Sequence, residues 1–341
     1  MNIILEIIYG IIVIGVIALV HEYGHYYAAK KSGIAVEEFS IGFGPAIFHK
    51  EVGGTIYKVC AIPILGYTKI KGMEDNLDAP DGFYKKGLWQ RFITIFMGPG
   101  MNFILAVILF AIVFSSFGNP FVHTTQISGL VPGDPAYRAG LQKGDKIIEI
   151  NGKPVKTWEE MTNIIRNSNG KTLQVTVNRK GKDLSFEVTP KKDPTGGWVV
   201  GIYSSGGEKY SLFKALWEGI VWTGKLLYKM IVFIPLLFTW RGVSSIAGPI
   251  GITVMTGQAA KGGLINLLWF SAIINVAIGF TNLLPIPALD GSWIVLILWE
   301  AITRKPIPPE KQLSVQSAGF VFLLGLMALV SVHDIMRLIG K

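Results

Sequence analysis

A polytopic α-helical membrane protein with one α+β domain inserted between its two membrane halves is the fold class that this sequence predicts, on three observations. Half of the 341 residues are hydrophobic, only 16% are charged and the mean hydropathy is +0.45, a balance too apolar for a soluble chain of this size. Several apolar runs are long enough to cross a bilayer, the first being Ile3 to Val20 with Glu6 as its one charge. Between these runs, from about Val122 to Ser204, the composition turns to that of a small soluble domain.

Met1 and Asn2 lead straight into the first run, with no basic segment and no small-residue cleavage site, so this span is expected to be retained. It is expected over residues 3–30 and ends in Lys30-Lys31, the mark of a cytoplasmic end. Near that end stands His21-Glu22-Tyr23-Gly24-His25. On a helix, histidines at i and i+4 lie one above the other on one face, where both imidazoles can reach one zinc ion. Glu22, beside them and not itself a ligand, can take the proton from a water whose pKa the metal has lowered towards ~7. That is the working part of a zinc peptidase. A structural histidine pair is the plain alternative, and the pattern arises by chance in roughly one chain in a hundred of this length. Inside a membrane helix, however, His and Glu are costly, and an ionisable residue there is a functional candidate by default.

Residues 40–72 contain Gly42-Phe43-Gly44-Pro45 and a run, Thr55 to Lys71, that reads as a hairpin around Pro63-Ile64-Leu65-Gly66. Lys50, Lys58, Lys69, Lys71, Lys85 and Lys86 put this membrane-associated hairpin on the cytoplasmic side. A hairpin beside a protease site can bind an unwound substrate by strand addition, and an ordinary loop is the other reading. Arg91 then opens a second span, residues 92–117, with Gly98-Pro99-Gly100 and Asn102 near its start. Small residues let helices approach closely and a buried amide can orient a neighbour. Packing accounts for these residues by default; support of the site by Asn102 is the sharper reading.

In the inserted segment, 122–204, Gly129 to Ala136, Ala139-Gly140-Leu141 and Gly144 to Ile148 lead into Ile150-Asn151-Gly152. Thr157-Trp158-Glu159-Glu160 is a capping box for a short helix with Trp158, Met161, Ile164 and Ile165 on one face. Leu173, Val175 and Val177, then Leu184, Phe186 and Val188, alternate with polar residues across Lys180-Gly181-Lys182, a hairpin pattern. This order resembles a PDZ domain of the circularly permuted bacterial kind. By that resemblance Gly196, Gly197, Trp198 and Gly201 belong to the peptide-binding loop and strand, where a peptide ligand would add to a sheet edge; a purely steric role is the alternative.

Residues 205–263 form an amphipathic interfacial region, in which the apolar run Leu212 to Trp240 is interrupted by Lys214, Glu218, Lys225 and Lys229 and is expected to lie on the outer surface rather than cross. Ala247-Gly248-Pro249-Ile250-Gly251 follows. The C-terminal half, 264–341, opens with a stretch, 264–302, too long for one straight crossing. Pro285 and Pro287 remove backbone donors and break it. Irregular backbone at membrane depth is tolerated only where buried in protein or lining a cavity, and Asp290 in that unwound segment is the natural third zinc ligand. Arg304-Lys305 marks a cytoplasmic end, and residues 315–332 make the last of four transmembrane helices.

Taken together, H-E-x-x-H, the G-x-G and hairpin segment, G-P-x-x-N, the PDZ-like domain, G-P-I-G-I and N-x-x-P-x-P-x-L-D-G resemble the site-2 protease family of intramembrane zinc metalloproteases, in its PDZ-containing bacterial branch, over nearly the full length. The resemblance implies one Zn2+ held by His21, His25 and Asp290, Glu22 as base, and Asn282 near the substrate or the developing oxyanion. It also implies cleavage of single-span membrane proteins, such as membrane-bound anti-sigma factors or remnant signal peptides, in a bacterial plasma membrane. The site would then face the cytoplasm and the PDZ domain the outside. Relatives usually have Gly-Gly at Leu65-Gly66, Asp-Gly-Gly at Asp290-Gly291-Ser292, and in some cases an asparagine at Ala277, with Asn275 the nearest substitute here. Only one PDZ is present, so gating by a tandem pair does not carry over.

The net charge of +9 does not signal nucleic acid, because the basic residues are scattered and lysines beside spans are the usual inside signal. The one cysteine, Cys60, excludes an internal disulfide and a cysteine metal cluster. A non-catalytic PDZ membrane adaptor or pseudoprotease, and a transporter with intramembrane ionisable residues, are the competing function classes.

Overall fold

The structure is a computed structural model that describes residues 3–119, 124–193, 196–204, 207, 209–238 and 248–339. Residues 239–247, with Trp240 and Ala247 of the sequence motifs, lie outside the described residues. The chain divides into two compact units, Met1–Ala111 with Lys214–Lys341, and Ile112–Phe213.

In the first unit, α1 (Ile3–Lys31) and α2 (Leu88–Phe117) are long, apolar and rich in residues that cannot be satisfied in water except by burial or lipid. They meet where neither helix has bulk: a Cβ on Gly24 would fall 2.0 Å from the carbonyl oxygen of Met97. Three further helices also have the length and apolarity of a membrane span: α5 (Leu212–Phe233) with the 3-10 turn after it, α7 (Leu264–Asn282) and α9 (Pro309–Ile339). Between α5 and α7 lies α6 (Pro249–Lys261), whose Thr253 packs on Gly10 of α1. The stretch read as one broken span is α7, an irregular segment, and α8 (Asp290–Thr303). The irregular segment carries both prolines.

Strands β1 (Val36–Val52) and β2 (Thr55–Ile70) pair antiparallel across Gly53-Gly54, whose φ values of +59° and +75° suit the tight turn that follows the twist of a hairpin. The tight turn therefore lies at Gly53-Gly54 and not around Pro63 to Gly66. A second bend does occur there: Leu65 has φ +66°, Ile62 faces Phe43 and Gly66 faces Ile41. Ser40 consequently has both Tyr67 and Lys58 as partners, so the start of β1 is flanked on both edges. The bend rests on α1, since a Cβ on Gly15 would meet the Pro63 carbonyl at 2.8 Å. Gly15 is on the apolar side of His21, so the bend packs against the long apolar run of α1.

A cluster of Ala29, Ile34, Val36, Phe83, Ile95 and Trp293 packs the ends of α1, β1, α2 and α8 together. Beside it Arg91 of α2 and Glu300 of α8 form an ion pair of 2.7 Å. The helix bearing the two histidines and the helix that starts at Asp290 are thereby fixed to one core. Burial, and not helix propensity, sets their relative position.

The second unit holds β3 (Ile127–Leu130), α3 (Pro135–Arg138), β4 (Lys146–Ile150), β5 (Lys153–Pro154), α4 (Trp158–Arg166), β6 (Leu173–Arg179), β7 (Lys182–Val188), β8 (Lys191–Lys192), β9 (Trp198–Val199) and β10 (Ile202–Ser204). Its four-stranded sheet has the order β5-β4-β6-β7, and β10 pairs with β3. The capping box forms as the sequence predicts, with Thr157 Oγ1 accepting the Glu160 N–H at 3.2 Å, and the β6–β7 turn falls at Lys180-Gly181. Ile147, Ile150, Met161, Leu173, Val175 and Val177 make the core.

Asp145, fully buried, accepts from Arg179 Nε and Nη2, each at 2.7 Å, and from the Gln142 N–H at 2.8 Å. Burial pushes this carboxyl up, but the guanidinium and the backbone donor outweigh it and hold its pKa below the ordinary value. A pKa lower in the folded than in the unfolded state stabilises at pH values above ~3.9, and the gain is lost as pH falls through the folded value. Asp145→Ala is expected to cost about 2 kcal/mol at neutral pH and much less in strong acid. Hydrogen exchange of β4, β6 and β7 in the whole protein measures it, and an equal loss at both pH values would exclude the electrostatic origin.

Candidate metal centre and active site

His21 and His25 lie on the face of α1 turned to α2, and Asp290 opens the first turn of α8. Their ligand atoms converge. The two Nε2 atoms are 3.2 Å apart, His21 Nε2 is 3.2 Å from Asp290 Oδ2, and His25 Nε2 is 3.4 Å from Asp290 Oδ1. Around a tetrahedral zinc with bonds of roughly 2.0–2.1 Å, neighbouring ligand atoms stand roughly 3.3 Å apart. The spacing therefore fits such an ion. So does the chemistry, because Asp290 Oδ2 is buried with no hydrogen-bond donor. A cation is what a carboxylate oxygen and two facing ring nitrogens lack.

The surroundings choose the histidine tautomers. His25 Nδ1 donates to the Thr94 carbonyl at 2.9 Å, which leaves its Nε2 lone pair for a metal. Asn102, wholly buried, sets its amide 3.3 Å from His21 Nδ1, while its own carbonyl oxygen has no partner. A half-turn that exchanges the amide N and O gives that oxygen the His21 N–H and frees His21 Nε2. Gly98 lies directly under His25: a Cβ there would fall 2.2 Å from His25 Nε2.

Glu22 lines the same cavity of about 490 Å³ as His21, His25 and Asp290, together with Leu65, Gly66 and Asn282. Its backbone carbonyl accepts from Thr68 Oγ1 of β2 at 3.0 Å, which seats the hairpin on the H-E-x-x-H turn. Pro285 and Pro287 belong to the irregular segment that delivers Asp290. That segment folds back so closely that a Cβ on Gly291 would come within 2.3 Å of the Leu283 and Leu284 carbonyls. Gly42 and Gly44 do not line the cavity. With φ of +83° and +93° they shape β1, and a side chain on Gly42 would strike the Ile62 carbonyl.

The proposed peptide loop lies in the second unit. Gly201, at φ +78°, packs on Asp134, Gly196 has φ +91°, and Gly197 donates its N–H to Asp193 Oδ1 at 2.8 Å. Trp198 covers Gly170, with Lys192 Nζ over its ring. Sequence reasoning missed Thr94, Thr68 and Gln316, the last a buried amide of α9. A lone polar side chain inside a span is the signal that points to such residues.

Two histidines and a carboxylate at tetrahedral spacing, with a second carboxylate in the same cavity and all carried on apolar helices, define the class of zinc metallopeptidases set in a membrane. Residues 9–326 match the model of peptidase family M50, and the chain belongs to that family. It is similar to a Clostridium perfringens protein named "Putative zinc metalloprotease", 34% identical over 331 residues that cover 96% of this chain and 98% of the relative. It is also similar to the zinc metalloprotease RasP of Geobacillus kaustophilus, 29% identical over 97% of this chain and 98% of that one. Among solved structures, the PDZ domain of an SdrC-like protein from Listeria innocua matches 26% of this chain and 99% of its own, with 23% identity and a TM-score of 0.23.

Proposed function

We propose that this zinc peptidase cleaves transmembrane segments of single-span membrane proteins. The observation that carries the reading is the convergence of His21, His25 and Asp290 at 3.2–3.4 Å in a cavity that Glu22 lines and apolar helices enclose. His21, His25 and Asp290 hold the ion. Bound there, zinc supplies Lewis acidity, polarising a peptide carbonyl and acidifying water. Glu22 takes the proton of the water that adds to the carbonyl carbon, and returns it to the amide nitrogen as the C–N bond breaks. Asn282, which lines the same cavity, binds the substrate backbone. The complete set of ligands and base speaks against a pseudoprotease or adaptor.

Peptide bonds in a regular helix are shielded and hydrogen-bonded, so the substrate has to unwind. The stretch of β2 from Leu65 to Thr68 lines the cavity, and its ladder to β1 occupies one edge. An extended substrate strand added along it would gain backbone hydrogen bonds without reading sequence. Purified protein in liposomes with a single-span reporter tests this. Cleavage is expected inside the span, lost with a zinc chelator, and slowed at least 10-fold, about 1.4 kcal/mol, when helix-breaking residues near the cut become leucine. Cleavage outside the span, or indifference to those residues, would sink the reading.

The topology we propose has four crossings, with the site towards the cytoplasm of a bacterial cell and the PDZ-like domain outside as a filter or peptide binder. Asp334, at the end of α9 away from Pro309, accepts the N–H groups of Gly248 and Gly251. That supports a start of α6 on the side opposite Lys305. Gly219 of α5 touches Val107, roughly 15 Å along α2 from Phe117 at 1.5 Å per residue. This contact supports a path for α5 alongside α2, with part of the helix at the depth of that span, instead of one flat on the surface. Both ligand sets then keep the same depth.

A further inference from the structure

The segment that delivers Asp290 is held from outside itself. Ala288, two residues before the carboxylate, has φ +73°, a conformation that non-glycine residues avoid and keep only where neighbours impose it. Its N–H donates to Gln316 Oε1 at 2.5 Å. The other end of the same amide reaches the far side of the carboxylate: Gln316 Nε2 donates to Ser292 Oγ at 2.8 Å, and Ser292 Oγ donates to the Leu289 carbonyl at 2.7 Å. Gln316 and Ser292 are both buried. One turn along α9, a Cβ on Gly319 would fall 2.3 Å from Pro287, so the helix lies directly on the segment.

We propose that Gln316 is a positioning residue that clasps the backbone on both sides of Asp290 and so sets the aim of its carboxylate. The proposal rests on the reading of Asp290 as a zinc ligand. Every polar atom of the clasp is used: the amide oxygen takes one backbone N–H, the amide nitrogen gives to the hydroxyl, and the hydroxyl gives to a backbone carbonyl. An apolar residue at position 316 would leave the Ala288 N–H buried without an acceptor and the left-handed turn without a restraint. Ser292 is then more than a side chain added to a tight turn. It carries the second half of the clasp. The next residue on the same face, Phe320, lines the cavity, so this short length of α9 both holds the ligand segment and walls the substrate space.

The experiment compares whole protein in detergent, wild type against Gln316→Leu, Gln316→Glu, Ser292→Ala and the double variant Gln316→Leu/Ser292→Ala. Zinc affinity is read by chelator competition, ligand geometry by the visible spectrum of the cobalt-loaded protein, and folding by the thermal midpoint of the metal-free protein. Gln316→Leu is expected to bind zinc about 10- to 100-fold more weakly and to shift the cobalt bands, with the metal-free protein still folded and its midpoint lowered by roughly a few degrees. Gln316→Glu, which keeps an acceptor for Ala288, recovers most of the loss. Ser292→Ala weakens binding less, and the double variant falls no further than Gln316→Leu, because both act through one network. Wild-type affinity and spectrum in Gln316→Leu would overturn the clasp, as would additive losses. If Gln316→Leu fails to fold, Ser292→Ala and Gln316→Glu decide by the same two readouts. Failure of the wild type itself to bind zinc would overturn the ligand assignment instead.

Discussion

Replacing Glu22 by glutamine is expected to lower cleavage of a reporter span by about 10²- to 10⁴-fold while zinc content stays at the wild-type level. The change keeps the shape of the side chain and removes only its capacity to accept a proton. The anchoring of this turn survives, because Thr68 bonds the backbone carbonyl of Glu22 and not its carboxylate. Neither His21 nor His25 depends on it: their outer nitrogens are served by Asn102 and Thr94. A loss of activity with zinc retained therefore isolates the proton transfer. Full activity in the variant would remove Glu22 from the reaction, whatever the metal content.

Gly98→Ala is the second substitution with a large expected effect, and it acts through space. A methyl group at this position would stand 2.2 Å from His25 Nε2, and the ring has nowhere to retreat while its Nδ1 holds the Thr94 carbonyl. Either His25 leaves the metal or α2 withdraws from α1, which the Gly24–Met97 approach makes costly. Zinc affinity is expected to fall at least 100-fold, equivalent to about 2.7 kcal/mol, with cleavage lost in parallel. Gly100→Ala is the control: a Cβ there meets Phe96 at 3.5 Å, an ordinary contact, and zinc binding should persist. Equal tolerance of both alanines would show that the helices are looser than their spacing indicates.

The legible parts of this chain were those in which one residue type has few uses. H-E-x-x-H inside an apolar run, two prolines and an aspartate in a broken span, and a capping box each declare their structure locally. What stayed hidden depended on three-dimensional neighbours. Gly98 reads as a packing glycine, and nothing in its surroundings says that His25, carried on another helix, lies above it. Gln316 is separated from Asp290 by a helix and a loop, so its bonds to Ala288 and Ser292 had no local signature. The double pairing of β1 was missed for a related reason, since Pro63 to Gly66 and Gly53-Gly54 both carry turn residues and only the register distinguishes them.

The pairing of β3 with β10 has a consequence for how such chains can change in length. The inserted domain enters and leaves the rest of the chain through adjacent strands, Ile202 opposite Leu130 and Ser204 opposite Ile127. Removing or duplicating a module whose two ends already meet requires only a short rejoining, and the entropy of closing that join grows slowly with its length. The Geobacillus relative aligns over 415 positions while covering 97% of the 341 residues here, so it carries additional sequence. A doorway of two neighbouring strands is a place where a genome can add or discard material as a cassette, leaving the reading of the helices on either side untouched.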